Sequence, residues 1–206
     1  MIQPRILRDR VKSHLLEQIQ QGKLEIGKTI NLAAVARETG ISVTPVREAL
    51  SQLEHARIVE AIPNRGFIIR PLGALEARHL YETVSQLEVM ALENTSFTEE
   101  YIQELRNCFS HRESKNPVTM RFEFHKSLLN NCSNPILLQI LDDLKARLYF
   151  YEQILPQNPT VEHQMETQNE AILNAIAENN IPTAALILKM HWMTVLERVQ
   201  NQFAID

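Results

Sequence analysis

Ser42, Thr44 and Arg47 lie close together, and Arg65–Gly66 follow a short apolar stretch downstream. These residue types can engage a nucleic-acid surface. The hydroxyls and backbone N–H groups of Ser42 and Thr44 can bond phosphate oxygens. Arg47 can make a bidentate contact to guanine, the commonest specific side-chain contact to a base. Arg65 can enter a minor groove, and Gly66 lets the backbone come close. Gln52 and His55 take outward positions on the same segment. The same residues would also suit an ordinary surface helix pair, so the elements that carry them decide between the two.

Those elements read as a winged helix-turn-helix. Apolar Ile6, Leu7, Val11, Leu15, Leu16 and Ile19 mark a first helix over 4–21, with Pro4 in its first turn and Gly22 ending it. Asn31 is a good N-cap for a helix over 32–39, stopped by Gly40. Ser42 or Thr44 caps the next helix, Pro45 fits its first turn, and Val46, Ala49, Leu50 and Leu53 form its core face. Ile58–Ile62 and Phe67–Arg70 alternate like hairpin strands about a tip at Asn64–Arg65–Gly66. Helix, turn, helix and hairpin in that order place the second helix of the pair in the major groove of DNA.

The rest of the chain shows no strand pattern. Pro71–Leu72–Gly73 reads as a linker. Helices are expected over 74–94, 98–114, 117–131, 134–155, 161–179 and 182–203. The expected fold is therefore mainly α: a winged helix-turn-helix over 1–70, a linker at 71–73 and an all-α six-helix bundle over 74–206.

Charge agrees with this division. The net charge of −4 conceals two halves. Residues 1–72 carry eleven Lys/Arg against seven Asp/Glu, and residues 73–206 carry ten against eighteen. A basic head on an acidic body suits a phosphate-facing module tethered to one that does not face DNA. No apolar run approaches ~18 residues, so no transmembrane helix is expected. The N-terminus lacks the apolar core of a signal peptide. Cys108 and Cys132 are too few for a disulfide framework or a zinc site and read as reduced packing thiols. A cytoplasmic protein is expected. No nucleophile elbow, P-loop or dinucleotide fingerprint is present, and an enzyme is not expected.

The run Val43–Thr44–Pro45–Val46–Arg47–Glu48–Ala49–Leu50, followed by Leu53–Glu54 and Arg65–Gly66, resembles the GntR family of bacterial transcriptional regulators. The remainder resembles the FCD ligand-sensing domain of the FadR subfamily in its shorter, VanR-like, six-helix form. That likeness is carried by Phe124–His125, Ser133–Asn134–Pro135, the segment Ala171–Ile172–Leu173–Asn174–Ala175–Ile176, Ala185 and His191. The resemblance implies a homodimer on a short pseudo-palindromic operator of double-stranded DNA, answering to a small-molecule effector. It assigns DNA contact to Ser42, Val43, Thr44, Pro45, Arg47, Arg65 and Gly66. Val43 stands where family members usually carry a base-reading arginine, so the operator should differ at that position, where Val43 offers an apolar contact such as a thymine methyl. Arg5, Arg8, Arg10 and Lys28 are either further phosphate contacts or solvated charge.

The resemblance also implies a divalent metal, held by an aspartate and three histidines, that binds a carboxylate effector. Those positions are occupied here by Arg121, His125, Asn169 and His191. Two of the four have changed, and one is now a cation that repels a metal. Three readings follow. Zinc or nickel is held by His125 and His191 with help from Glu166 or Glu123. Alternatively, the two histidines are buried and satisfied by neighbours. In the third, Arg121 replaces the metal and reads an anionic effector directly, with His125, Asn169 and His191 completing the lining. A metal is the disfavoured reading. Val84 stands where an arginine is common, while Glu88 is retained. His79, His111 and His163 have no matching role. Tyr149, Tyr151 and Trp192 are core or interface residues, or flank the pocket. The function expected is a DNA-binding regulator tuned by a small carboxylate effector; the alternative is a bundle that only dimerises.

Overall fold

The structure, a computed structural model, describes residues 4–20, 23–110, 116–153 and 158–203. The chain divides into two compact units, Met1–Leu72 and Gly73–Asp206.

The first unit contains α1 (Pro4–Gln20), α2 (Leu32–Thr39), α3 (Val43–His55), β1 (Val59–Ile62) and β2 (Gly66–Ile69). The expected stop at Gly22 lies outside the described residues. Asn31 caps α2 by accepting from the Ala34 N–H at 3.1 Å. Gly40 ends it in the left-handed region, at φ 67°, where a Cβ would be strained. Ser42 takes the N-cap position of α3, but its side chain makes no capping bond. Val46, Ala49, Leu50 and Leu53 face inward as their spacing predicts, joined by Val11 and Leu15 from α1. The antiparallel hairpin pairs Val59 with Ile69 and Ile62 with Gly66, so Gly66 opens β2 rather than ending the tip. Gly66 is at φ 88° and Asn64 at φ 62°, which lets the chain reverse within Pro63–Asn64–Arg65. One feature was not expected: the loop after α1 pairs with the free edge of β2. Gly27 N–H donates to Ile69 O at 2.9 Å and Ile30 N–H to Phe67 O at 2.7 Å. This pins the wing to the helical core.

The second unit holds α4 (Ala74–Glu93), α5 (Glu99–Ser110), α6 (Pro117–Leu128), α7 (Pro135–Gln153), α8 (Pro159–Ala177) and α9 (Ile181–Phe203). Asparagine opens four of these helices. Oδ1 of Asn116, Asn134, Asn158 and Asn180 each accepts from a first-turn N–H, satisfying donors that the helix itself leaves open. Thr98 plays this part for α5. α4 and α9 form the central pair, with α8 against α9, α7 against α4, α6 against α7 and α5 against α8. Trp192, Tyr81, Phe124 and Phe150 are fully buried among these helices. Among the described residues, no helix is long and apolar enough to cross a membrane. Cys108 is exposed and Cys132 half-buried. The expectation of two packing thiols therefore fails for Cys108, which sits on the outer face of α5.

Leu50 is wholly buried on the core face of α3. Leu50→Ala should lower the unfolding free energy of this unit by about 2–5 kcal/mol, with the wing losing amide protection alongside α3. Chemical denaturation and amide exchange measure both effects.

Candidate functional site

Two sites are set out by the geometry, one in each unit. In the first, the start of α3 is open to solvent. Ser42, Thr44, Arg47 and His55 are exposed, Gln52 and Pro45 are half-buried, and Val43 remains 42% exposed despite being apolar. Arg65 is exposed at the wing, next to the half-buried Gly66. These side chains form the polar ends of two elements whose opposite faces are core.

In the second unit, the bundle interior holds ionised side chains. Glu88, on α4, is fully buried. Its Oε2 accepts from His125 Nδ1 at 2.7 Å, on α6, and from the indole N–H of Trp192 at 2.5 Å, on α9. Its Oε1 pairs with Lys145, on α7. Burial opposes ionisation of Glu88, but His125 and Lys145 together hold its carboxyl down at about 2. One carboxylate therefore ties four helices together.

A second buried pair lies beside it. Arg121, on α6, pairs with Glu152, in the last turn of α7. The Tyr81 hydroxyl, on α4, donates to Glu152 Oε1 at 2.7 Å. Burial keeps that hydroxyl protonated by raising it well above its ordinary value. Burial also lowers the Arg121 guanidinium to about 10, so it stays cationic at neutral pH. Arg147 on α7 pairs with Glu76 on α4 at 2.8 Å.

The four residues singled out in the sequence are all buried, but they split into two groups. His125 and His191 pack ring on ring, with centroids 4.7 Å apart, against Trp192. Arg121 and Asn169 line a cavity of about 70 Å³ between α6 and α8, whose walls do not include the histidines. Several polar atoms here have no hydrogen-bond partner: Arg121 Nε, His125 Nε2, both ring nitrogens of His191 and Asn169 Oδ1. Unsatisfied buried polar atoms are costly, and ordered water or a bound ligand is what ordinarily answers them.

The metal implied by the family pattern does not fit this donor set. Arg121 occupies the carboxylate position and is itself paired with Glu152. His125 gives Nδ1 to Glu88. Glu123 is exposed, and Glu166 is exposed on the cavity rim. Among the described residues, no three or more His, Cys, Asp or Glu side chains are grouped so that they could hold a metal ion. His79 and His163 are exposed, and His111 lies outside the described residues. Val84, Tyr151 and Trp192 are buried core, and Tyr149 is half-buried.

Lys145, Glu152 and Tyr81 were missed in the sequence. The available signal was the stripe Leu141, Lys145, Leu148, Glu152, in which two charges interrupt an apolar helical face.

Burial holds His125 and His191 below their ordinary value, His191 strongly; Glu88 partly offsets this for His125, while His125 and Arg121 add to it for His191. The unfolded chain takes up a proton at each near pH 6.5, and the folded chain only at lower pH. Stability is thus complete above about pH 7 and falls on acidification, by up to about 1.4 kcal/mol per pH unit for each histidine. The Glu88 contribution goes last, as pH drops from about 4.5 towards 2. Denaturant midpoints at pH 8, 7, 6 and 5 (chosen, as about one-unit steps, to span this window) should fall below neutrality, and His191→Phe should flatten the fall. A midpoint constant from neutrality to pH 5 would contradict the neutral-imidazole assignment.

Residues 7–69 match the family described as bacterial regulatory proteins, gntR family, and residues 79–194 match the FCD domain. The chain is 23% identical over 161 residues to the HTH-type transcriptional regulator McbR of Escherichia coli, covering 71% of this chain and 73% of that one. It is 26% identical over 184 residues to the Nta operon transcriptional regulator of Aminobacter aminovorans, covering 85% and 88%. A solved structure of E. coli McbR/YncC superposes with a TM-score of 0.71 at 20% identity, covering 98% of this chain and all of that one, and so shares its fold. With a helix-turn-helix head and an FCD body both matched, the chain belongs to the gntR family of bacterial regulatory proteins and is a DNA-binding transcriptional regulator rather than an enzyme.

Proposed function

We propose that this regulator binds a pseudo-palindromic operator as a homodimer, and that a small effector bearing a carboxylate, held in the C-terminal bundle, tunes its affinity for DNA. The observation that carries this reading is the set of buried, unsatisfied polar atoms on Arg121, His125, Asn169 and His191, of which Arg121 and Asn169 line a cavity. Arg121 is the anion-reading group: it is buried, cationic and on a cavity wall. His125 and His191 stack on each other outside the cavity wall as neutral imidazoles. A bundle that only dimerises would have no need of such a set. Leu186 and Met190, exposed one turn apart on α9, and Met90 on α4 supply apolar surface for a dimer contact. Effector binding acts on DNA affinity by favouring one arrangement of the dimer's two heads over another.

In the DNA head, Ser42 and Thr44 contact phosphate, Val43 and Pro45 lie against the groove, Arg47 reads a base edge, and Arg65 with Gly66 follows the minor groove. The Ser42 hydroxyl caps no helix N–H and is open to a phosphate. On an operator selected from random DNA, Arg47→Ala should weaken binding by about 1–3 kcal/mol and relax specificity at one base pair. Arg65→Ala should weaken binding more evenly across sequences and shallow the salt dependence. Equal loss on specific and random DNA for Arg47→Ala would remove it from base reading.

Arg121→Ala should abolish the effector response while operator affinity survives. Because it strands Glu152, the charge-neutral pair Arg121→Met with Glu152→Gln is its companion. Retained anion binding in the paired variant would defeat the reading.

A further inference from the structure

The cavity between α6 and α8 has a mixed wall. Arg121 projects from α6. From α8 come Glu162, Glu166 and Asn169, spaced so that all three fall on one helical face. Met120 and Met165 supply apolar surface. Asn169 is 5% exposed and its Oδ1 has no partner. Arg121 is 6% exposed and its Nε has none. Its charge already faces Glu152, so the cavity sees one part-neutralised cation and two carboxylates.

A ligand carrying only a carboxylate would answer Arg121 but lie against Glu162 and Glu166, where like charges repel. A ligand carrying only an ammonium would answer the α8 acceptors but meet the buried guanidinium. A molecule bearing both groups on one carbon satisfies every wall. The cavity, at about 70 Å³, holds such a head group while leaving a side chain to extend towards the exposed Glu166 rim.

We propose that this cavity is a binding site for the head group of an α-amino acid, with Arg121 taking the carboxylate and Asn169 Oδ1, Glu162 and Glu166 taking the ammonium. This rests on the reading of Arg121 as the anion-reading group and names the class of effector it serves. Glu162 and Glu166 are then the residues that set specificity, rejecting simple acids of the same shape. A buried acceptor left without its donor makes that rejection steep.

The test uses the full chain in thermal-shift and calorimetric titrations. The probes are the common amino acids, each set against its deaminated acid, such as alanine against propionate. At least one amino acid should raise the melting temperature saturably, because a ligand that binds the folded state stabilises it. Its deaminated acid should bind at least about tenfold more weakly, or about 1.4 kcal/mol. Glu162→Gln with Glu166→Gln, isosteric changes at one half-buried and one exposed position, should erase that preference. If acid and amino acid bind alike, or if the double variant keeps the preference, the amino-acid assignment is overturned while Arg121 keeps its role. Tight amino-acid binding that survives Arg121→Met with Glu152→Gln overturns both, as does binding by neither series.

Discussion

The bundle depends on a carboxylate that water never reaches. Glu88 is buried with three donors around it, and each comes from a different helix. An isolated buried carboxylate would be intolerably costly, so Glu88 can stay inside only while His125, Lys145 and Trp192 hold their places. That requirement fixes the register of α4, α6, α7 and α9 against one another more sharply than apolar packing alone. It also commits His125: with Nδ1 given to Glu88, the imidazole turns a lone pair at Nε2 towards the interior. The interaction that orients the His125 ring is thus the one that ties α6, which carries Arg121 to the cavity, to three other helices.

Arg121 and Glu152 form a second pair with a different character. Glu152 lies at the C-terminal end of α7, where the helix dipole disfavours a negative charge. It is retained there by Arg121 and the Tyr81 hydroxyl. Together the two pairs balance the interior: Glu88 with Lys145, and Glu152 with Arg121. A ligand entering between α6 and α8 meets a bundle already near neutrality, so its own charges must be complementary within themselves.

The architecture was readable because local signals agreed. Asn31, Gly40 and the apolar positions of α3 specify a helix pair whatever lies around them, and the Asn–Pro steps at Asn116, Asn134 and Asn158 mark the starts of α6, α7 and α8. The pairing of residues 27–30 with β2 was not readable, since Gly27 to Ile30 carry no alternation and their partner is distant in sequence. The site was partly readable. Arg121, His125, Asn169 and His191 came from family likeness, yet nothing in their spacing told that the histidines stack away from the cavity wall. Lys145 and Glu152 look like surface charges until α7 is wound and their stripe is seen to coincide with Leu141 and Leu148. Glu162 belongs to a first turn, where an acidic residue needs no special explanation. Only the position of α6 opposite it gives that carboxylate a second meaning.

The account rests most heavily on Glu88 as the shared tie of four helices. Amide hydrogen exchange on Glu88→Gln, read helix by helix, tests it most directly. Loss of protection in α4, α6, α7 and α9 together, with α5 and the DNA-binding head unaffected, is the predicted result. Exposure confined to the turn of α4 around residue 88, with the other three helices protected as before, would contradict it.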